Sequence, residues 1–152
     1  MNKKYALITG GTAGIGLDIA RELARQGHNI VLTARREERL KEISASLIEE
    51  FNIDCNYIAA DLAQVSAPEI IYNFCCKNDY VVEILVNNAG YSINKKFHET
   101  DEEEEEKFLR VLGIAVVALT KKFIPSMLEQ KHGKIMMVSS LASFAPPSSG
   151  WG

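Results

Sequence analysis

Glycines cluster in one short segment near the amino terminus, Thr9-Gly-Gly-Thr-Ala-Gly-Ile-Gly16, between an apolar run and an amphipathic one. Glycine lets the backbone turn tightly and approach a ligand closely. If a helix begins here, its free N–H groups and positive dipole end suit a pyrophosphate. The spacing is G-x-x-x-G-x-G rather than the common G-x-G-x-x-G, and no Gly-Lys-Ser/Thr of a Walker loop follows. The segment predicts a phosphate-binding turn, with a plain glycine-rich turn as the alternative.

A pair of arginines, Arg35 and Arg36, comes directly after a second apolar run that ends at Ala34. In a dinucleotide-binding fold, an acid at this place binds the ribose hydroxyls of NAD, whereas an arginine accommodates the 2′-phosphate of NADP. The first carboxylate here is Glu37. A cation at a helix start is electrostatically unfavourable, which also hints at a phosphate partner. The pattern favours NADP(H) over NAD; the alternative is two solvated surface cations.

Polar residues also follow the other apolar runs of the chain. They occur at Asp61-Leu62, at Asn87-Asn88-Ala89-Gly90 and at Ser139-Ser140. Ligands of open parallel sheets bind at the carboxyl ends of the strands. We therefore expect these segments and the glycine loop to lie along one edge of a sheet.

The elements that would position these residues alternate regularly between strand and helix. Apolar runs typical of buried parallel strands cover 5–9, 29–34, 55–60, 84–87 and 134–139. Amphipathic helices are predicted over 15–26, 37–50, 67–77 and a long region from 100 to about 130. This order predicts an α/β fold, a parallel sheet covered on both faces, in a single domain spanning 1–152.

Composition excludes several classes of protein. With 17 Lys+Arg against 20 Asp+Glu in 152 residues, the net charge of −3 gives no electrostatic case for nucleic acid or an anionic membrane. The longest apolar run, 111–119, is much shorter than the about 20 residues of a membrane span. Three cysteines without metal-ligand spacing favour a reduced, cytoplasmic protein. The acidic run at 101–106 is typical of a solvated helix start, and we expect no metal site.

The glycine loop, Asp61-Leu62, Asn87 to Gly90 and Ser139-Ser140 follow one another in an order that resembles the short-chain dehydrogenase/reductase family. The resemblance covers the whole chain. Ala-Arg-Arg at 34–36 and Phe-x-Pro at 144–146 look most like a bacterial branch of that family. The resemblance implies an NADP-dependent oxidoreductase that transfers a hydride reversibly between the nicotinamide and a carbonyl or alcohol.

The resemblance also implies cofactor contacts, residue by residue. Arg35 would contact the adenosine 2′-phosphate. Asp61 would hydrogen-bond the adenine, with Leu62 beside it. Asn88 and Gly90 would line the adenosine ribose. The pyrophosphate would lie against the glycine loop, at Gly10, Thr12, Gly14, Ile15 and Gly16.

The catalytic residue implied by the resemblance is Ser140, which would hydrogen-bond the substrate carbonyl oxygen. The family's proton-donating tyrosine and its lysine follow the serine at a distance that lies beyond Gly152, and none of the five tyrosines of this chain follows Ser140. That tyrosine exchanges a proton near neutral pH because a neighbouring ammonium lowers its pKa. We therefore expect negligible turnover from residues 1–152.

Two further departures from the family concern the second half of the chain. Leu112 stands where the family often has an asparagine that supports the proton relay. The family also has strands after the serine, whereas five strands can pair here as 3-2-1-4-5, a doubly wound, Rossmann-like αβα fold with an open edge. We expect the N-terminal part of a longer protein that is homo-oligomeric when complete. The alternatives are a non-catalytic NADP-binding or regulatory module ending near residue 152 and, disfavoured by Asn87 to Gly90, another nucleotide-binding protein.

Overall fold

Five parallel strands form one sheet in the computed structural model, which describes residues 3–141 and residue 144. Residues 145 and 146 of the predicted Phe-x-Pro segment lie outside the described residues. The strands are β1 (Lys4–Thr9), β2 (Asn29–Ala34), β3 (Cys55–Ala59), β4 (Val81–Asn87) and β5 (Lys134–Met137). Their order, β3-β2-β1-β4-β5, confirms the predicted topology.

Helices cover both faces of the sheet. They are α1 (Gly14–Arg25), α2 (Glu37–Phe51), α3 (Ala67–Lys77), α4 (Glu102–Leu109) and α5 (Ala115–Glu129), with a 3-10 turn at Phe97–Glu99 and a π-helical turn at Arg110–Ile114 that joins α4 to α5. On one face, Leu7 and Leu85 pack with Ile71 of α3 and Leu119 of α5. On the other face, the buried residues of β1 and β2 pack with α1 and α2. The αβα layering follows from strands that are apolar on both faces.

Three predicted boundaries differ from the structure by more than one residue. β4 begins at Val81 rather than at residue 84, because Val81 pairs with Lys4 although the charged Glu83 interrupts the apolar run. β5 ends at Met137 rather than at residue 139. The long helical region begins at Glu102 with Asp101 as its N-cap, whose carboxylate accepts a 2.7 Å hydrogen bond from the Glu104 amide.

The last strand and the last helix present apolar surface to solvent. β5 is one of the two edge strands of the described sheet, and Met136 and Met137 are 48% and 52% exposed. Along α4, the π turn and α5, exposed apolar side chains are Leu109, Leu112, Ile114, Val117, Ile124 and Leu128. By length and composition alone, the continuous helix Glu102–Glu129 could cross a membrane. This is weak evidence, since a core helix of a soluble protein passes the same test.

The burial of the cysteines predicts how the three thiols react. Cys55 and Cys75 are buried, Cys76 is exposed, and none forms a disulfide. Burial raises the pKa of Cys55 to about 11 and that of Cys75 to about 12. Because the thiolate is the reactive form, we expect one fast thiol with dithionitrobenzoate at about pH 8, and three after unfolding.

Two variants check this assignment. Cys76→Ser should remove the fast reaction, whereas Cys75→Ser should leave it in place. Two fast thiols in the folded wild-type chain would contradict the burial of Cys55 and Cys75.

Candidate cofactor-binding site

An open cleft of about 700 Å³ runs along the carboxyl edge of the sheet. From the predicted loop it is lined by Gly10, Thr12, Ile15 and Gly16. From the ends of β2, β3 and β4 it is lined by Arg35, Asp61, Leu62, Asn88 and Gly90. The segments that the sequence placed on one edge therefore meet in a single cleft, of a size that suits a small-molecule cofactor.

Two glycines of the loop are required by the close approach of the segment that follows β4. Gly10 has a φ of +68°, and a Cβ built there would lie 2.9 Å from Ala89 Cα. A Cβ on Gly16 would lie 2.3 Å from Asn88 Nδ2 and 2.5 Å from the Gly10 carbonyl oxygen. Real Cβ atoms do not approach other atoms so closely, so a side chain at either position must displace its surroundings.

Asn88 ties this loop to the end of β4. Its Nδ2 donates to the carbonyl oxygens of Thr9, at 2.9 Å, and Gly10, at 3.2 Å. Thr9 Oγ1 accepts from the amides of Asn88 and Ala89, both at 3.0 Å. Asn88 lines the cleft as expected, and the hydrogen bonds of its side-chain Nδ2 also hold the end of β1 against the end of β4.

The two arginines at the end of β2 differ from the other arginines in their ionic contacts among the described residues. The other four arginines each lie between 2.6 and 4.0 Å from a glutamate, at Arg21, Arg25, Arg39 and Arg110. Arg35 and Arg36 line the cleft, and neither forms an ion pair within the described part of the chain. Two cations that line the cleft without an ion pair in the described residues favour an anionic ligand beside them.

Asp61 is oriented by its own turn. Its Oδ1 accepts a 3.0 Å hydrogen bond from the Ala63 amide, and its carbonyl oxygen accepts a 2.8 Å bond from the Gln64 amide. Leu62 beside it is 8% exposed and belongs to the core. The carboxylate thus stands in the cleft at a fixed position next to an apolar surface.

Two predicted site residues are not among the residues that line the cleft. Gly14 is the first residue of α1. Ser140 is exposed and lies beyond the end of β5. The structure therefore brings the cofactor segments together in a cleft whose lining does not include Ser140.

Sequence reasoning also missed several residues that line the cleft, among them Thr33, Tyr91, Lys107 and Val111. Thr33 Oγ1 is buried, with no hydrogen-bond partner in the described residues. The Tyr91 ring meets the Phe108 ring edge-on, with centroids 5.5 Å apart. Lys107 and Val111 are four residues apart and therefore lie on one helix face. This spacing could have indicated that the two residues line the same surface.

Leu112 lies in the π-helical turn, over Gly90. A Cβ on Gly90 would lie 2.9 Å from Leu112 Cδ2. π-helical turns are frequent at functional sites. This chain has the π-helical turn although Leu112 stands where the family often has an asparagine.

The fold and the cleft define a Rossmann-like domain for a dinucleotide. The family model described as short chain dehydrogenase matches residues 4–151, and the chain belongs to that family.

Similar curated proteins include the fatty acyl-CoA reductase of Acinetobacter baylyi, 33% identical over 93% of this chain and 48% of the relative. The very-long-chain 3-oxoacyl-CoA reductase of Rattus norvegicus is 31% identical over 94% of this chain and 46% of the relative. The chain thus spans about half the length of these relatives. Among solved structures, L-sorbose reductase from Gluconobacter frateurii complexed with NADPH and L-sorbose is 32% identical at a TM-score of 0.91, covering 99% of this chain and 57% of that one.

Proposed function

We propose that this chain is the NADP(H)-binding part of an oxidoreductase that transfers a hydride between the nicotinamide and a carbonyl or alcohol substrate. The observation that carries the proposal is that Arg35 and Arg36 line the same cleft as the glycine loop and have no ionic partner in the described residues. Its relatives support the same reading, since the solved L-sorbose reductase is complexed with NADPH.

The residues present fit such a cofactor. The cradle formed by Gly10 and Gly16, which a Cβ would fill, would hold the pyrophosphate at the start of α1. Arg35, with Arg36 beside it, would hold the 2′-phosphate. Asp61 would hydrogen-bond the adenine over Leu62. When bound, the nicotinamide would supply or accept the hydride.

Ser140 would orient the substrate carbonyl in the complete protein. No tyrosine follows it within residues 1–152, and the relatives' chains are about twice as long. We propose that the full reaction needs residues that proteins of that length carry after the serine. Residues 1–152 alone should therefore bind the cofactor without turnover.

Calorimetric titration of the chain tests this proposal. NADPH should bind saturably and at least about tenfold more tightly than NADH, a difference of about 1.4 kcal/mol. Absorbance at 340 nm in the presence of carbonyl substrates should stay constant. Equal affinities for the two cofactors, or no binding of either, would remove the basis of the proposal.

We further propose that the chain self-associates through the apolar row of α4, the π turn and α5. Val117, 60% exposed, lies near the middle of that row, and Leu128, 72% exposed, lies at its end. Val117→Glu should convert a dimer into a monomer in light scattering, because a charge cannot be buried there without a partner. Ile48→Glu, an equally polar change at an exposed site on α2, should leave the dimer intact. A wild-type chain that is monomeric at high concentration would refute this surface.

The three free thiols support a proposal that the protein works in a reducing compartment, the cytoplasm.

A further inference from the structure

β4 contains one residue more than its pairing with β1 requires. Tyr5 lies opposite Val82, but Ala6 lies opposite Ile84, so Glu83 is an extra residue and the register shifts there. From Ile84 onward the pairing is regular again. A β-bulge of this kind leaves the extra residue unpaired and changes the direction in which its side chain points.

The bulge directs the Glu83 carboxylate toward a group of three basic side chains, those of Lys4, His28 and His132. The Glu83 side chain is 9% exposed, and Lys4 Nζ lies 3.3 Å from its Oε2. His28 Nδ1 lies 3.3 Å from Oε1, and His132 Nε2 lies 3.4 Å from Oε2. Lys4 belongs to β1, His28 to the turn before β2, and His132 to the turn before β5. This basic group lies at the amino-terminal edge of the sheet, opposite the cleft.

The apolar pattern of the two strands does not by itself fix their register. Ala6, Leu7 and Ile8 lie opposite Ile84, Leu85 and Val86, and all six are at most 6% exposed. Because both faces are apolar, a shift by one residue exchanges one apolar side chain for another. Something other than hydrophobic patterning must therefore exclude the shifted pairing.

The charge of Glu83 supplies that exclusion. A ladder without the bulge would place Glu83 opposite Ala6 and Ile84 opposite Leu7. Ala6 faces the core that contains Ala20, Ala24 and Ile30. An unpaired carboxylate in that core costs far more than the one ladder pair that the bulge gives up.

We propose that Glu83 fixes the register of β4 and is thereby a positioning residue for Asn88 at the far end of the strand. A shift by one residue moves the strand by about 3.3 Å, which separates Asn88 from Thr9 and Gly10 and breaks their hydrogen bonds. The expected effect on NADPH affinity rests on the proposed function, whereas the expected register of β1 and β4 does not.

Two variants separate register from mere stability. In Glu83→Ala the shifted ladder no longer buries a charge. Deletion of Glu83 removes the extra residue, so the bulge-free ladder has Ala6 opposite Ile84 again. Glu49→Ala, at an exposed glutamate of α2 without an ion pair in the described residues, is the matched control. Each labelled protein is examined by NMR for contacts between β1 and β4, and by titration with NADPH.

We expect Ala6–Ile84 contacts in the wild type, the control and the deletion, and Leu7–Ile84 contacts in Glu83→Ala. The NADPH affinity should fall at least about tenfold in Glu83→Ala and stay within about threefold of wild type in the other two. Native contacts in Glu83→Ala, or a deletion that loses as much affinity as Glu83→Ala, would overturn the proposal.

Two remaining outcomes are also decisive. If Glu83→Ala does not fold, the deletion decides: native contacts support the proposal, and an unfolded chain overturns it. If the wild-type chain binds no NADPH, the proposed function fails, and the strand contacts alone decide the register.

Discussion

Replacing Gly16 with alanine is expected to abolish measurable NADPH binding and to lower the free energy of unfolding by about 3 kcal/mol. The new Cβ would lie 2.3 Å from Asn88 Nδ2 and 2.5 Å from the Gly10 carbonyl oxygen. To make room, Asn88 must leave the positions from which it donates to Thr9 and Gly10. The loop and the end of β4 then separate, and the cradle for the pyrophosphate is lost.

Guanidinium unfolding and NADPH titration measure the two effects separately. Gly113→Ala is the matched control, because a Cβ there meets nothing within 4 Å. It lies in the π-helical turn, where alanine should be neutral or should stabilise by up to about 1 kcal/mol. A Gly16→Ala chain with wild-type stability and affinity would show that the loop and β4 do not approach each other as described.

Replacing Arg35 with aspartate is expected to weaken NADPH binding about 100-fold and to change NADH binding less than about threefold. A charge-assisted hydrogen bond to a phosphate contributes about 1.5–3 kcal/mol, and reversing the charge adds repulsion. NADH has no 2′-phosphate at this place. The variant should therefore change cofactor preference rather than overall affinity.

The matched control for Arg35 is another arginine of the same region. Arg39 of α2 lies 2.8 Å from Glu42 and does not line the cleft. Arg39→Asp should leave both affinities near their wild-type values. Equal losses of NADPH and NADH binding in Arg35→Asp would mean that Arg35 is a surface charge without a role in selecting the cofactor.

Much of this site could be predicted from local sequence, because its parts lie directly after buried strands. For that reason the sequence predicted that the glycine loop and the end of β2 lie along the same edge of the sheet. The sequence left open whether Arg35 and Arg36 are solvated cations; the structure adds that both line the cleft and that neither has an ionic partner in the described residues.

Features that depend on contacts distant in sequence could not be predicted. The predicted fourth strand begins at residue 84, directly after Glu83, whereas β4 includes Glu83. The Glu83 carboxylate contacts Lys4, His28 and His132, which belong to three other segments of the chain. Lys107 and Val111 reach the cleft from a helix rather than from a strand end. Tyr91 follows Gly90 directly and lines the same cleft, where its ring packs against Phe108.

Amide hydrogen exchange of the chain with and without NADP⁺ tests the central claim most directly. A dinucleotide in the cleft should slow exchange at the glycine loop, after β2 around Arg35 and Arg36, at Asp61 to Ala63, and at Asn88 to Tyr91. Adding 2′,5′-ADP instead should slow exchange at the arginines, whereas 5′-ADP should not. Unchanged exchange at the glycine loop, or slowing confined to the face of α5 or the edge of β5, would contradict the account.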